Sequence, residues 1–228
     1  TDTSYTNITA CDSYTWNDST YTQSGTYSSN IGSSNNYSMS FDGNADDVEI
    51  SNMNQLNLFT AMCWFNFNSL GTFDAIMQHK QVCWNGDGWY LGVQNGNLRF
   101  FKHVGSCTNL CSGLPNSSCN FNILTNQNIN IGEWYHVAWS SDGVNNIVYL
   151  NGDSIGNINQ STPFPSQVSP FILGLHEDGG LQHYSDVYLD DVIYLNQSIS
   201  QQEIQNYMSC PPTGNESGLV GYWNFEEG

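Results

Sequence analysis

The chain has 228 residues, with 3 Lys plus Arg against 21 Asp plus Glu and a formal net charge of −18 at pH 7. That balance argues against a phosphate-backbone partner, which needs Lys and Arg to displace counterions, and against an anionic membrane surface. Polarity comes from Asn, Ser, Thr and Gln instead of charge, and 14% aromatic residues with 21 glycines suit strands and turns.

No run of 18 apolar residues exists to cross a membrane as a helix. The opening TDTSYTNITA has no basic or apolar leader region, so the expectation is a removed signal peptide or a piece of something larger.

In chain order, residues 1–35 come first, a polar tract whose alternating SYTWNDSTYTQSGTYSS predicts an extended N-terminal arm with short strands. From residue 36 the pattern tightens into strand-like runs. They are YSMSFDG, DDVEI, FTAMCWFNF, DAIMQHK, GWYLGVQ, NLRFFKHV, FNILT, NINIGEWYHVAWS, NIVYLNG, PFILGL, DVYLDDVIYL and GLVGYWNFE. Turn residues (DGN, NGDG, QNGN, SDG, NGD, EDGG) separate them. Evenly spaced short strands without helical alternation predict an all-β fold, an antiparallel jelly-roll sandwich. The exception starts at Ser200, an N-cap candidate with Glu203 at the capping-box position and Ile204, Tyr207 and Met208 on one face, which predicts one short helix.

The stretch 132–153 predicts a central hairpin. Alternation sends Ile147 and Tyr149 to one face and Val148 and Leu150 to the other, and Asn151-Gly152 signals a tight turn. Trp134, Trp139 and Tyr149 are expected in core and sheet packing more than in a sugar platform.

Seven cysteines are present, and Cys83, Cys107, Cys111 and Cys119 cluster in a segment rich in turn residues. No CxxC pair exists and Cys107-x3-Cys111 lacks a second pair at zinc spacing, so disulfides among these four in an oxidising compartment are expected. The odd count leaves a free thiol, for which Cys63 inside Ala61-Met62-Cys63-Trp64-Phe65 is the candidate.

Catalysis finds no support. Asp190 and Asp191 are adjacent, as are Asp46 and Asp47, and adjacent strand residues face opposite ways. No G-x-S-x-G elbow exists, His136 fits a core or sheet-facing position, and His176 and His183 lack a third ligand at useful spacing.

The order of SMSFDGNADDVEI (38–50), FTAMCWFNF (59–67), GEWYHVAWSSDGVNNIVYLNGD (132–153), FILGLHEDGG (171–180), VYLDDVIYLNQSISQQEIQNYM (187–208) and TGNESGLVGYWNFEEG (213–228) resembles the laminin-G-like, concanavalin A-type jelly roll, a group that includes the pentraxins. The arm NITACDSYTWNDSTYTQSGTYS resembles repeats of very large secreted bacterial surface proteins and adhesins, but without the second cysteine of those repeats.

The resemblance implies an arm over 1–35 and a jelly roll over 36–228. By likeness to pentraxins, Ca²⁺ would sit between Asn85 and Asp87 in CWNGDGW and Glu177 and Asp178 in LHEDGG; the wider group suggests Asp42 and Gly43 with Asp190 or Asp191. Asp-Gly and Asn-Gly also make turns without any metal. Trp84 beside Asn85 and Asp87 is the candidate ring for stacking on a sugar.

Cys11, without its repeat's partner, is expected to join Cys210, within the chain or between subunits. The implied role is a non-enzymatic extracellular adhesion or recognition module, with Ca²⁺-dependent glycan binding. The alternative is a structural subunit of a filament or surface layer, a homopolymer joined through the arm.

Overall fold

The computed structural model describes residues 13–16, 19–22, 37–79, 87–104, 120–160, 162–163, 168–178 and 181–226. The first strands are β1 (Tyr14–Trp16), β2 (Ser19–Tyr21), β3 (Met39–Asp42), β4 (Val48–Asn54), β5 (Leu58–Phe67) and β6 (Phe73–His79). The middle of the chain adds β7 (Gly88–Gln94), β8 (Asn97–His103), β9 (Asn120–Asn128), β10 (Tyr135–Asp142), β11 (Asn145–Leu150) and β12 (Asp153–Asn159). Then come β13 (Val168–Leu173), β14 (Leu175–Asp178), β15 (Leu181–Tyr184), β16 (Asp186–Leu195), the helix α1 (Gln201–Ser209) and β17 (Leu219–Trp223).

All strand pairings are antiparallel. A seven-stranded sheet has the order β12-β11-β10-β5-β16-β17, with β3 also on β16, and a six-stranded sheet has the order β4-β13-β6-β7-β8-β9. The expected all-β sandwich with one short helix is therefore the fold. Of the arm, β1 and β2 pair as a separate ribbon; residues 1–12, 17–18 and 23–35 lie outside the described residues.

The core follows from alternation. In β5 the residues Phe59, Ala61, Cys63, Phe65 and Phe67 point between the sheets, and Thr60, Met62, Trp64 and Asn66 point outward. Phe59 stacks on Trp89 at 5.3 Å and meets the edge of Trp139, also at 5.3 Å. Phe171 stacks on Tyr194 at 5.2 Å and on Trp223 at 5.7 Å. Each such ring pair adds roughly 0.5–1.5 kcal/mol beyond its buried area. Cys63 is a fully buried free thiol, as expected, and burial pushes its pKa up. The clustered Cys83, Cys107, Cys111 and Cys119, and Cys11, lie outside the described residues; Cys210 is the C-cap of α1.

The 132–153 hairpin sits inside the seven-stranded sheet. Val148 and Leu150 face the core, while Ile147 and Tyr149 face outward. Asn151 and Gly152 both take positive φ (51° and 80°), the two-residue turn that matches strand twist. β17 pairs with β16 from Val192 opposite Trp223 to Leu195 opposite Leu219, so GLVGYWNFE closes this same module.

Helix α1 covers one end of the outward face of this sheet. Ser200 accepts from the Glu203 amide and the Glu203 carboxylate accepts from the Ser200 amide, forming the expected capping box. Ile204 is buried against Met62, Ala138, Tyr149, Ile193, Leu195 and Ile199.

On the six-stranded sheet the hairpin β14–β15 lies over β6. His176 packs on Tyr90 at 4.3 Å and faces His183 across the hairpin at 5.9 Å. The Arg99 guanidinium lies 4.8 Å from the Phe101 ring centre. Gly92 sits where a side chain has no room: a Cβ would come 2.2 Å from the Asp74 carbonyl and 2.3 Å from Tyr90 Oη.

Candidate functional site

Beyond the helix-covered rows, the outward face of the seven-stranded sheet changes character. Strand register places Asp190 (β16), Trp64 (β5) and His136 (β10) in one row across three neighbouring strands. In the next row Tyr188 lies opposite Asn66 on one side and Ser40 on the other. Trp134 immediately precedes Tyr135, which is opposite Phe65, so it stands at the end of β10 nearest Asn66. Trp64 and Tyr188 are half-buried, and Trp134 is 44% exposed. This corrects one expectation: Trp139 and Tyr149 are core residues, but Trp134 is a surface ring, because it lies just before β10 begins.

Two polar atoms in this strip have no hydrogen-bond partner. Asn66 Oδ1 and His136 Nδ1 are both buried, in residues only 8% and 2% exposed. Other unpartnered buried atoms exist among the described residues, such as Gln78 Nε2 and Trp89 Nε1, but these lie beneath the β14–β15 hairpin and inside the core. A buried polar group without a partner costs about 1–3 kcal/mol, which marks the place for explanation. Burial lowers the His136 pKa to about 3, so the imidazole is neutral. Its backbone is fixed by Asn151, whose Oδ1 accepts from the His136 amide at 2.9 Å. The Trp64 ring lies edge-on to the imidazole at 5.2 Å.

The two adjacent acids also depart from expectation. β16 carries a bulge between Asp190 and Ile193, with Asp191 at φ 45°. An inserted residue breaks the alternation. Asp191 Oδ1 therefore accepts from Tyr222 Oη at 2.6 Å, beside the helix-packed outer cluster, while Asp190 Oδ1 accepts from the Asp191 amide at 2.8 Å. Burial first, then Asp191, Asp190 and Glu226, push the Tyr222 phenol up. Asp191 is itself raised, by burial ahead of Glu226, with Tyr222 opposing. Both carboxylates thus act on one side of the sheet.

Asp42 and Asp191 are not brought together. Asp42 is opposite Asp186, and Asp191 lies five residues further along β16, about 15 Å at strand rise. The Asp186 carboxylate accepts from Asn68 Nδ2 at 3.0 Å and Ser69 Oγ at 2.9 Å, and Asp42 Oδ1 accepts from the Asn44 amide at 2.8 Å. These acids organise turns.

Glu177 lies close enough to Asp47 to raise its pKa, after burial and Glu49. The Glu177 amide donates to Gln78 Oε1, and Gln78 is opposite Tyr90, three residues beyond Asp87 on the β7 side. That separation is about 10 Å. Asp178 is on β14 opposite Leu181; Trp84 and Asn85 lie outside the described residues. Among the described residues no three of His, Cys, Asp and Glu converge on a point that could hold a metal.

Two facing antiparallel sheets with a capped helix on one outer face define a lectin-type β-sandwich. The family model for the concanavalin A-like lectin/glucanases superfamily, of laminin-G type, matches residues 51–205, and the chain belongs to this family. Solved structures agree on the fold. A heptameric pentraxin from Limulus polyphemus is similar at 16% identity and TM-score 0.57, over 81% of this chain and 89% of that one. A candidate carbohydrate-binding protein from Bacteroides ovatus ATCC 8483 is similar at 14% identity and TM-score 0.59, over 82% of this chain and 52% of that one. The chain thus spans about half of that protein. The binding domain of Paraclostridial Mosquitocidal Protein 1 is similar at 15% identity and TM-score 0.56, over 74% of this chain and 42% of that one. No curated protein matches the chain. No helix among the described residues is long and apolar enough to cross a membrane.

Trp64, Asn66, Tyr188 and His136 were absent from the acids and turns to which the sequence pointed. For Trp64 and Asn66 the signal was present: in FTAMCWFNF they alternate with Phe65 and Phe67.

Proposed function

We propose that the chain is a non-enzymatic, extracellular recognition module that binds a glycan on the strip of Trp64, Trp134, Tyr188, Asn66 and His136. The observation that carries this is the pairing of half-open aromatic rings with Asn66 Oδ1 and His136 Nδ1, two buried hydrogen-bonding atoms without partners, on one outward face. A sugar presents C–H faces to rings and hydroxyls to such atoms. The Trp64 ring lies edge-on beside His136, so a ligand that stacks on or displaces it comes near the imidazole. The lectin-type family and the candidate carbohydrate-binding neighbour support the ligand class.

Adhesion is the role such a module would serve in a larger surface protein. Calcium enters only through Asn85 and Asp87 with Glu177 and Asp178, which is a separate proposal. A glycan-array screen of the chain tests both, in buffer with added calcium and with chelator. Binding to at least one glycan class, lost in Trp64→Ala and Trp134→Ala with unchanged circular dichroism, is the expected result. Binding unaffected by both substitutions removes the strip from the reading, and loss on chelation places calcium in it. No release of reducing ends from bound glycans is expected.

A further inference from the structure

We propose that the ligand of this strip carries primary amines, as in an oligomer of 2-amino-2-deoxy sugars; the proposal rests on the glycan-binding reading above. Carboxylates and an open acceptor gather on this outward face. Asp190 stands in the same row as Trp64 and His136. The bulge at Asp191 brings a second carboxylate to this side, held by Tyr222 Oη at 2.6 Å, and Asp191 is half-buried and so meets solvent. Glu226 is near enough to act on both Asp191 and Tyr222. Asn66 Oδ1 adds an unpartnered acceptor within the same face. His136, neutral because it is buried, does not repel a cation and offers a ring nitrogen.

No described cation is on this sheet. Of the chain's three, Arg99 and Lys102 are on β8 of the other sheet, and Lys80 follows β6 in sequence. Carboxylates with no described cation on their sheet favour a ligand that brings positive charge and disfavour an anionic one. An ammonium group is donor-only, and it is attracted both by carboxylates and by the face of a tryptophan. Uronates and sulfated sugars, with acceptors and negative charge, are rejected by the same groups.

Calorimetry on the full chain at about pH 6, where sugar amines are substantially protonated, compares a glucosamine hexamer, its N-acetylated form and a uronate hexamer. The expected result is roughly tenfold tighter binding of the amine form than of the acetylated form, no uronate binding, and weakening between about 50 and about 500 mM salt. Asp190→Asn keeps an oxygen for the Asp191 amide and should erase the preference while leaving the acetylated form bound. Asp191→Asn serves the same purpose if the first variant misfolds. Equal or tighter binding of the acetylated form overturns the amine preference and leaves the glycan reading standing. Amine binding that persists in Trp64→Ala, whose net charge is unchanged, is general attraction to an acidic chain and overturns the site. If none of the hexamers binds and a neutral glycan panel is also silent, both readings fall.

Discussion

The six-stranded sheet turns Tyr90 and Phe101 outward, and the seven-stranded sheet turns Trp64 and Tyr188 outward, yet the two faces are finished differently. On the first, Tyr90 is fully buried, its Oη donates to the Asp74 carbonyl at 2.7 Å, and His176 lies on its ring. His176 Nδ1 in turn is 3.3 Å from Gln78 Oε1. On the second, Trp64 is half-open and two buried polar atoms beside it have no partner. On the sealed face even the unpartnered Gln78 Nε2 is shut in beneath the hairpin, and the aromatic and polar groups serve stability. A face with open rings and unmet hydrogen-bond capacity holds part of its stability in reserve for a ligand.

The largest effect should come from breaking the sealed face. Gly92→Ala places a methyl against the Asp74 carbonyl and Tyr90 Oη, both of which are hydrogen-bonded to each other. Backbone cannot yield there as a flexible side chain would. The expected loss is about 3 kcal/mol or more, read as a lower denaturant midpoint with unchanged slope. A loss under about 1 kcal/mol would show that the hairpin-covered face is looser than its packing implies.

Acid should discriminate the two faces next. Burial lowers His136 and His176 to about 3 and His79 to about 4, so each is neutral in the fold and takes up a proton when the chain unfolds. The unfolded state binds more protons below the ordinary histidine pKa. Stability from these groups is therefore full above about pH 6.5 and is lost as pH falls from there toward the folded values. Each contributes a slope of about 1.4 kcal/mol per pH unit within that window. Replacing His136 by Gln should flatten the slope by one such increment at little cost, since its Nδ1 had no partner to lose. His176→Gln should flatten it equally but lower stability at neutral pH, because it packs on Tyr90 and faces Gln78. Equal neutral-pH costs for the two would erase the distinction between the faces.

A smaller effect concerns the bulge. Tyr222→Phe removes the donor to Asp191 and leaves a half-buried carboxylate less satisfied, for a loss of about 1–2 kcal/mol at neutral pH. Without that hydrogen bond the Asp191 pKa should rise further, which carboxylate-resolved NMR titration would follow. No change in that titration would mean the bulge holds Asp191 in place without Tyr222.

Much of this architecture was legible in the chain. FTAMCWFNF announces a strand with phenylalanines on one side, Asn151-Gly152 a hairpin turn, and Ser200 with Glu203 a helix start. Each of these signals is local, and each physical cause acts within a few residues. The site was less legible because its causes are not local. Alternation shows that Trp64 and Asn66 share a face, but not that α1 stops short of them. Aspartates at 190 and 191 look opposed until a bulge inserts a residue, and nothing in DVYLDDVIYL marks the insertion. Asp42 and Asp191 were paired through the resemblance to the wider sandwich group. Register decides otherwise: β16 gives its first half to β3 and its second to β17, and this separates them.

The covered end of the same sheet supplies the last and smallest test. Helix α1 has nine residues, too few for stability alone in water, so its place depends on Ile204 in the outer cluster and on its capped start. Ser200→Ala removes the side-chain acceptor for the Glu203 amide and the hydroxyl donor to the Glu203 carboxylate. A loss of about 1 kcal/mol is expected. Amide exchange should speed up in the first turn of α1 and at Ile199, whose amide lies near Thr60 and Ser140 hydroxyls at the same end of the sheet. Trp64, His136 and the glycan affinity should not change, because the helix covers its own rows of the sheet and leaves the strip to itself. If the cap substitution weakens glycan binding as strongly as Trp64→Ala does, the helix and strip form one cooperative surface, and the division of this face into a covered end and an open end fails.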